Sequence, residues 1–297
     1  MSRHRLRLCV TTVVDGTFQR YTPLFILSLL TAYPAYSIRV FVRDDIGPEL
    51  ATGMRLLDGL GDWQIVTGAL DGYPQCKRLG AYLRYLLFTR ERVARYFSEF
   101  DYVYITDGDL FITREDPPLH VQHIEHMKAI GLPYSDILRH GDPLVATGLL
   151  FASQEFIGRV AEWVEWYDAE FRAKGADVID ATECIPDERL LYQIIRDSGV
   201  GEPPQHILED DPPMGRPSDP ANYHDQVFRP WHGLNIGAGF AKGRDVIRLD
   251  LPYRGESARQ IATLIATPLG KACAELLAES QQKALARCLG AFARSEQ

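Results

Sequence analysis

Phe100-Asp101-Tyr102-Val103-Tyr104-Ile105-Thr106-Asp107-Gly108-Asp109-Leu110-Phe111-Ile112 is the most informative run in this chain. β-Branched and aromatic residues lead into two carboxylates one residue apart, and an apolar run resumes at once. The first run predicts a buried strand. Carboxylates are costly to bury unless they are paired or hold a metal. In an open α/β sheet the carboxyl end of a central strand is where ligands bind. Two acids there, with a glycine between them that permits a turn and a close approach, suit a hard divalent cation carried by a diphosphate. The plainer reading is a strand-to-turn step in which Asp107 and Asp109 only accept from backbone N–H groups.

The 297 residues are 46% hydrophobic, enough for one large domain or two small ones. The net charge of −8 argues against a nucleic-acid partner, which calls for a basic face. It does not exclude phosphate esters, because a bound cation inverts the local field. No apolar run approaches the roughly 20 residues needed to span a membrane. The basic start, Arg3 to Arg7, leads into a short strand-like run without a small-residue cleavage site, so export is not expected. Cys9, Cys76, Cys184, Cys273 and Cys288 are scattered, with no Cys-x-x-Cys pair. They read as core thiols of a reduced, cytoplasmic protein.

Outward from the acidic run, strand and helix signals alternate. Leu6 to Val14, Ser37 to Val42 and Trp63 to Thr67 predict strands. Tyr21 to Tyr33, Pro48 to Leu60 and Arg78 to Phe97 predict helices, the last long and amphipathic with Arg84, Arg92 and Arg95 at polar positions. This alternation predicts an α/β fold: a mainly parallel sheet with helices on both faces. The first strand ends at Asp15-Gly16-Thr17, on the same sheet edge as Asp107 and Asp109. Asp15 and Thr17 either face a nucleotide or serve ordinary loop and cap chemistry. Neither a dinucleotide-binding nor a P-loop glycine pattern is present, so diphosphate binding would lean on metal and arginine.

Further on, Leu144 to Ala152 predicts a buried strand. Gln154 to Phe171 predicts a helix whose Trp163, Trp166 and Tyr167 read as core. Asp187 to Asp197 predicts a helix opened by Pro186. Residues 201–225, crowded with Pro, Asp and Gly, predict a long loop or lid. After Gly255 an amphipathic helical tail carries Ile261, Leu264, Ile265, Leu269, Leu276, Leu277, Leu285 and Leu289 on its apolar positions. It is expected to pack on the domain or on a second copy as a homodimer. A peripheral membrane role would call for a basic polar face, and this one is mixed.

Five segments now stand in order: Ala81-Tyr82-Leu83-Arg84-Tyr85, Asp107-Gly108-Asp109, Thr147-Gly148-Leu149-Leu150-Phe151, Pro186-Asp187-Glu188-Arg189-Leu190-Leu191 and Trp231-His232-Gly233. This order resembles the GT-A-fold nucleotide-sugar glycosyltransferases, most closely the retaining families eight and six, over roughly residues 6 to 240. The resemblance implies a GT-A catalytic domain over 1–250, with a nucleotide-binding half over 1–112 and a sugar and acceptor half over 113–250. The helical tail occupies 251–297. It also implies a nucleotide-sugar donor, with UDP the expected nucleotide, and a glycan or glycolipid acceptor met in the cytoplasm or at a membrane surface.

Carried over by position, the resemblance implies that Asp107 and Asp109 hold Mn²⁺ or Mg²⁺ and that His232 is the third protein ligand. Arg84 would contact donor sugar or phosphate, where a planar guanidinium suits bidentate recognition. Thr147 and Gly148 would lie under the donor sugar. Asp187 and Glu188 would lie near the anomeric carbon, Asp187 as the principal catalytic carboxylate. Gly233 and Lys242 would serve the diphosphate, although Arg229-Pro230-Trp231 precedes the histidine here and leaves the neutralising base open between Arg229, Lys242 and Arg244. The family's Asn before the glycine strand is replaced by Ala146 or Thr147. Two other readings stand beside this one. A haloacid-dehalogenase-like phosphohydrolase also ends a strand in Asp-x-Asp, but on its first strand, whereas three strand signals precede Asp107 here. A non-catalytic nucleotide- or glycan-binding module would keep the ligand and lose the chemistry.

Overall fold

Leu8, Cys9, Val10, Thr11, Thr12, Val13 and Val14 are buried along their whole length, as a strand covered on both faces must be. They form β1 (Leu8–Val14), the centre of the sheet in this computed structural model, which describes residues 6–74, 79–139, 142–175, 186–203, 232–236 and 252–295. Around it lie β2 (Ser37–Val42), β3 (Asp62–Val66), β4 (Tyr102–Ile105), β6 (Tyr134–Ser135) and β9 (Phe151–Ser153) in the order β3-β2-β1-β4-β9-β6. The first four run parallel, while β9 is antiparallel to both β4 and β6. The predicted mainly parallel α/β sheet is therefore present. Because β1 and β4 are neighbours, Asp15 and the Asp107–Asp109 turn leave the same edge of adjacent strands.

Alternate residues of β1 feed two cores. Leu8, Val10 and Val14 face α1 (Thr22–Ala32), α2 (Pro48–Leu56) and the C-terminal helices. Cys9 and Val13 face the layer of α3 (Leu79–Leu83), α6 (Gln154–Lys174) and α7 (Pro186–Ser198). Pro23 opens α1 as predicted, since a missing N–H costs nothing in the first turn. The tail folds as three helices, α8 (Pro252–Ala266), α9 (Pro268–Glu275) and α10 (Glu279–Ser295). Ile261, Leu264, Cys273, Leu277, Leu285 and Cys288 are buried in the core built on α1. The apolar stripe offered to a partner subunit is thus occupied within the chain. No described helix is long and apolar enough to cross a membrane.

Three expectations are corrected. The long amphipathic helix over 78–97 is broken into α3, a 3₁₀ turn at Arg84–Leu86, and α4 (Arg90–Tyr96), which Thr89 caps by accepting from the Arg92 N–H at 3.4 Å. Residues 82 to 88 are buried all round, which a surface helix with one apolar stripe cannot be. The strand expected over 144–152 is two strands, β8 (Asp142–Ala146) and β9, parted at Gly148, whose φ of 82° no strand can hold. Trp163 and Trp166 are 37% and 48% exposed, and only Tyr167 of that trio is buried. Positions 160, 164, 167 and 171 of α6 face inward at helical spacing, which turns 163 and 166 outward.

Candidate active site

β4 delivers its acids at the sheet edge, and the following β5 (Leu110–Ile112) turns away to pair antiparallel with β10 (Gly233–Asn235). Gly108 between the acids lies against β1. A Cβ there would fall 2.8 Å from Val14 Cγ1, so the turn can be this close only with glycine. Asp109 is nearly buried. Burial, and next the charge of Asp107, push its carboxyl up to about 7.

The break in the predicted long helix has a consequence here. It turns Arg84 inward, 6% exposed, with its guanidinium between two elements distant in sequence. Nη1 donates to Asp107, and Nη2 donates to Asp187 Oδ2 at 2.9 Å. The guanidinium carbon stands 4.7 Å from the Tyr85 ring centre. Burial works against its charge, but Tyr85, Asp107, Asp187 and Glu188 outweigh it, and Arg84 stays firmly protonated. Asp187 and Glu188 are both buried in the first turn of α7, where the helix dipole favours acids. A charged pair this deep is held by its geometry, and removing one partner leaves the other uncompensated.

Gly148 completes the contact. The Tyr85 hydroxyl donates to its carbonyl at 3.1 Å. A Cβ at 148 would fall 2.4 Å from the Tyr85 hydroxyl, 3.0 Å from Glu188 Cγ and 3.1 Å from Arg84 Nη2. The residue at 148 is thus the point where the arginine, the acidic helix and the β8–β9 turn meet. Beside it, Thr147 donates its hydroxyl to Asp136 Oδ1, which also accepts from Ile137 N–H at 2.7 Å and Thr147 N–H at 3.3 Å. Asp136 is fully buried and its Oδ2 has no hydrogen-bond partner. Burial pushes its carboxyl up to about 6, against the bonds from Thr147, Ile137 and Gly148. Sequence reading did not single out Asp136. Its signal is an acid inside the apolar run Tyr134 to Leu138.

Of the remaining expected residues, Asp15 Oδ2 accepts from the Gly80 N–H at 3.0 Å, tying the end of β1 to α3. Thr17 is exposed on the following 3₁₀ turn, and its carbonyl accepts from Gln281 of α10 at 3.2 Å. Lys242, Arg229 and Arg244 lie outside the described residues, as do Trp231 and all but the first three positions of the expected lid over 201–225.

The structure separates His232 from the acidic pair. The Ile236 N–H donates to the Asp109 carbonyl at 3.2 Å, while the Thr113 N–H donates to the His232 carbonyl at 3.2 Å. His232 is therefore four residues down the ladder, about 13 Å at a strand's rise. Its ring is fully buried, with Nδ1 2.9 Å from Glu115 Oε2 and Nε2 3.0 Å from His123 Nε2. His123 in turn meets the Ser135 hydroxyl at 2.9 Å. Both ring nitrogens are thus engaged in a buried polar chain. The antiparallel pairing of β10, which sequence order cannot reveal, explains the difference. Gly233, with φ of 150°, is required by that pairing: a Cβ there would fall 2.1 Å from the Phe111 carbonyl oxygen. Among the described residues no three His, Cys, Asp or Glu side chains converge on one metal-sized point.

No family model matches the chain, and no curated protein is similar to it in sequence. Solved structures with a similar architecture include the glycosyltransferase GlyE of Streptococcus pneumoniae TIGR4, with TM-score 0.43 and 15% identity over 98% of this chain and 64% of that one. The galactosyltransferase LgtC in complex with donor and acceptor sugar analogs gives 0.39 and 16% over 62% and 69%. The mannosyltransferase Ktr4p of S. cerevisiae in complex with GDP gives 0.40 and 9% over 64% and 66%. The chain spans less than two thirds of the length of GlyE.

Proposed function

We propose that this chain transfers a sugar from a nucleoside diphosphate-sugar to an acceptor hydroxyl. The observation that carries the reading is the grip of one buried arginine, Arg84, on Asp107 and Asp187 directly beneath Gly148. It joins an acidic pair at a sheet edge to a buried acidic helix start, with the Gly148 turn packed close against both. A donor needs a diphosphate anchor and a carboxylate for the reacting carbon side by side.

Asp107 and Asp109 fit a divalent cation. The cost of holding Asp109 charged next to Asp107 is what a cation between them removes. Mn²⁺ or Mg²⁺ keeps several non-protein oxygens, so two carboxylates suffice where a diphosphate and water supply the rest. When bound, such an ion would neutralise charge on the departing diphosphate.

The chain's own residues supply the remainder. Arg84, with two carboxylates already on its guanidinium, fixes the acidic groups in place rather than binding phosphate as a free cation. Asp187 and Glu188 set negative charge beside the electron-poor anomeric carbon of a glycosyl transition state. Asp136, fully buried, braces the Thr147–Gly148 turn from within by accepting from the Thr147 hydroxyl and N–H. Transfer with retention, to a glycan or glycolipid hydroxyl, is the form of the reaction the motif order supports. The phosphohydrolase reading places its nucleophile on the first strand of the domain, and three strands precede the one that leads into Asp107 here.

The test is release of nucleoside diphosphate from a panel of nucleotide-sugars with Mn²⁺, using simple glycoside acceptors. Asp107→Asn and Asp109→Asn are expected to lower turnover at least a hundredfold, about 3 kcal/mol in the barrier, without loss of fold by circular dichroism. Full turnover in excess EDTA, or in either variant, would overturn the metal-dependent reading. Binding of donor without release under every condition would leave a binding module instead.

A further inference from the structure

α6 shows two tryptophans on a surface where a helix ordinarily shows charge. Trp163 and Trp166 lie on its outer face, 37% and 48% exposed. Positions three apart on a helix are neighbours, and the two rings stand 6.5 Å apart at 67°, forming a corner. The corner is held from below. Trp166 meets the buried Tyr167 ring edge-on at 4.7 Å, and the Tyr167 hydroxyl donates to Asp197 Oδ2 of α7 at 2.6 Å. Along the same face Gly158, Glu162 and Trp166 follow one another at four-residue spacing. Nothing stands within 4 Å of where a Cβ on Gly158 would lie, so that end of the row is open ground. A glycine inside a helix costs stability relative to alanine, and neither a turn nor a close contact asks for one here.

The surroundings restrict what this corner can take. Among the described residues the other charged side chains of α6 are committed: Glu155 to Arg159, Glu165 to Arg90, Glu170 to Lys174, and Asp168 to Arg92 and Arg172. Glu162 has no ionic or hydrogen-bond partner there, and neither indole N–H has an acceptor. At about 250 Å² for a whole indole side chain, the two exposures sum to roughly 200 Å². A stable protein interface covers about 800 Å² on each partner, and ion pairs rather than apolar groups flank the corner, so a second protein chain finds too little to bury. A lipid surface or a nucleic acid calls for free basic groups, and Arg159 and Lys174 are paired. What matches is a neutral ring with an apolar face and a rim of hydroxyls. The C–H bonds of a pyranose carry slight positive charge and lie well against the negative face of an indole. Its hydroxyls can accept from the indole N–H groups and donate to the free Glu162 carboxylate.

We propose that the Trp163–Trp166 corner, with Glu162 and the open ground at Gly158, is a docking site for a neutral glycan, separate from the candidate active site. It does not depend on the transfer reading, since none of these residues belongs to that site. The test is electrophoresis of the full chain through native gels that each contain one neutral polysaccharide, dextran, laminarin, mannan or xylan, with polygalacturonate as the acidic comparison. At least one neutral polymer is expected to retard the chain and polygalacturonate is not. The apparent dissociation constant should rise at least tenfold in Trp163→Ala and in Trp166→Ala. Gly158→Gln places a good helix former and so keeps the helix, yet it covers the open ground and should weaken binding as well. In the wild type the retarding polymer should shield the indoles from acrylamide quenching of their fluorescence. Nucleotide-sugar turnover on a simple glycoside acceptor should be the same in all three variants as in the wild type, and a fall in it would overturn the separateness of the site. No retardation by any neutral polymer, retardation that survives both tryptophan changes, or a preference for polygalacturonate would overturn the glycan site and leave the transfer reading standing. Self-association of the wild type that the tryptophan changes abolish, read by sedimentation, would also overturn it, in favour of a second copy of the chain.

Discussion

At the scale of single residues, the chemistry that was legible and the chemistry that was not differ in one respect: whether the burial is local. Asp107 and Asp109 stand out because their own strand announces the buried surroundings in which they must sit. Asp136 does not, because what buries it arrives eleven positions later as Thr147, across a turn no local pattern reveals. His232 was misplaced for the same kind of reason, since its neighbours His123 and Glu115 come from remote segments. Asp136 makes a pH-dependent prediction. Its folded pKa of about 6 lies above the ordinary value for an aspartate, so the folded state holds the proton more tightly than the unfolded chain. The sign follows: the native state loses stability as pH rises from about 4 through about 6, and the loss is complete above that. Asp136→Asn keeps an acceptor for Ile137 and Thr147 and does not ionise. The unfolding free energy of the variant relative to wild type is expected to rise by about 3 kcal/mol across that window and stay flat from pH 7 to 8. Urea unfolding at a series of pH values measures it, and a difference that does not change between pH 4 and 7 would refute the raised carboxyl.

At the scale of elements, periodicity located β1, β2, α1, α6 and α7 well, because each presents one uniform environment along its length. It failed where an element changes role part-way. The segment from Leu79 to Tyr96 reads as one amphipathic helix, yet it breaks at Arg84, whose guanidinium reaches Asp107 and Asp187. The apolar run from Leu144 to Ala152 reads as one strand, yet Thr147-Gly148 interrupts it against that same arginine. Both failures fall on the site, as expected where local preference yields to function. Gly148 tests this most directly. Gly148→Ala must hold a positive φ and fit a methyl against Tyr85, Glu188 and Arg84. Strain and overpacking together should cost about 3 kcal/mol, seen as a lower midpoint in thermal unfolding. If the turn at Gly148 lies under the donor sugar, as proposed, its displacement should also weaken nucleotide-sugar binding more than binding of the bare nucleoside diphosphate. Equal weakening of both ligands would mean that the glycine serves packing alone.

At the scale of the whole molecule, the question is whether the tail is an appendage. Sequence suggests a boundary near residue 250, where the strand and helix alternation gives way to helices alone. The packing argues for a single cooperative unit. Leu277 and Leu285 lie in one core with Leu24, Leu27 and Leu30 of α1 and with β1. The contact is close: Gly53 of α2 has room for no side chain between Pro23 of α1 and Leu276 of the tail. From α10, Gln281 reaches the Thr17 carbonyl on the turn that follows β1, within sight of the acidic edge. The tail thus braces the N-terminal strand end from which the candidate site is built. Leu277→Ala removes a side chain that is 2% exposed, and deletions of this kind cost about 2–5 kcal/mol. If the tail shares the core, the whole loss appears in one transition, with calorimetric and van't Hoff enthalpies still equal. Should the variant instead melt in two steps, with the sheet keeping its wild-type midpoint, the tail would be a separate folding unit and the boundary read from sequence would be the physical one.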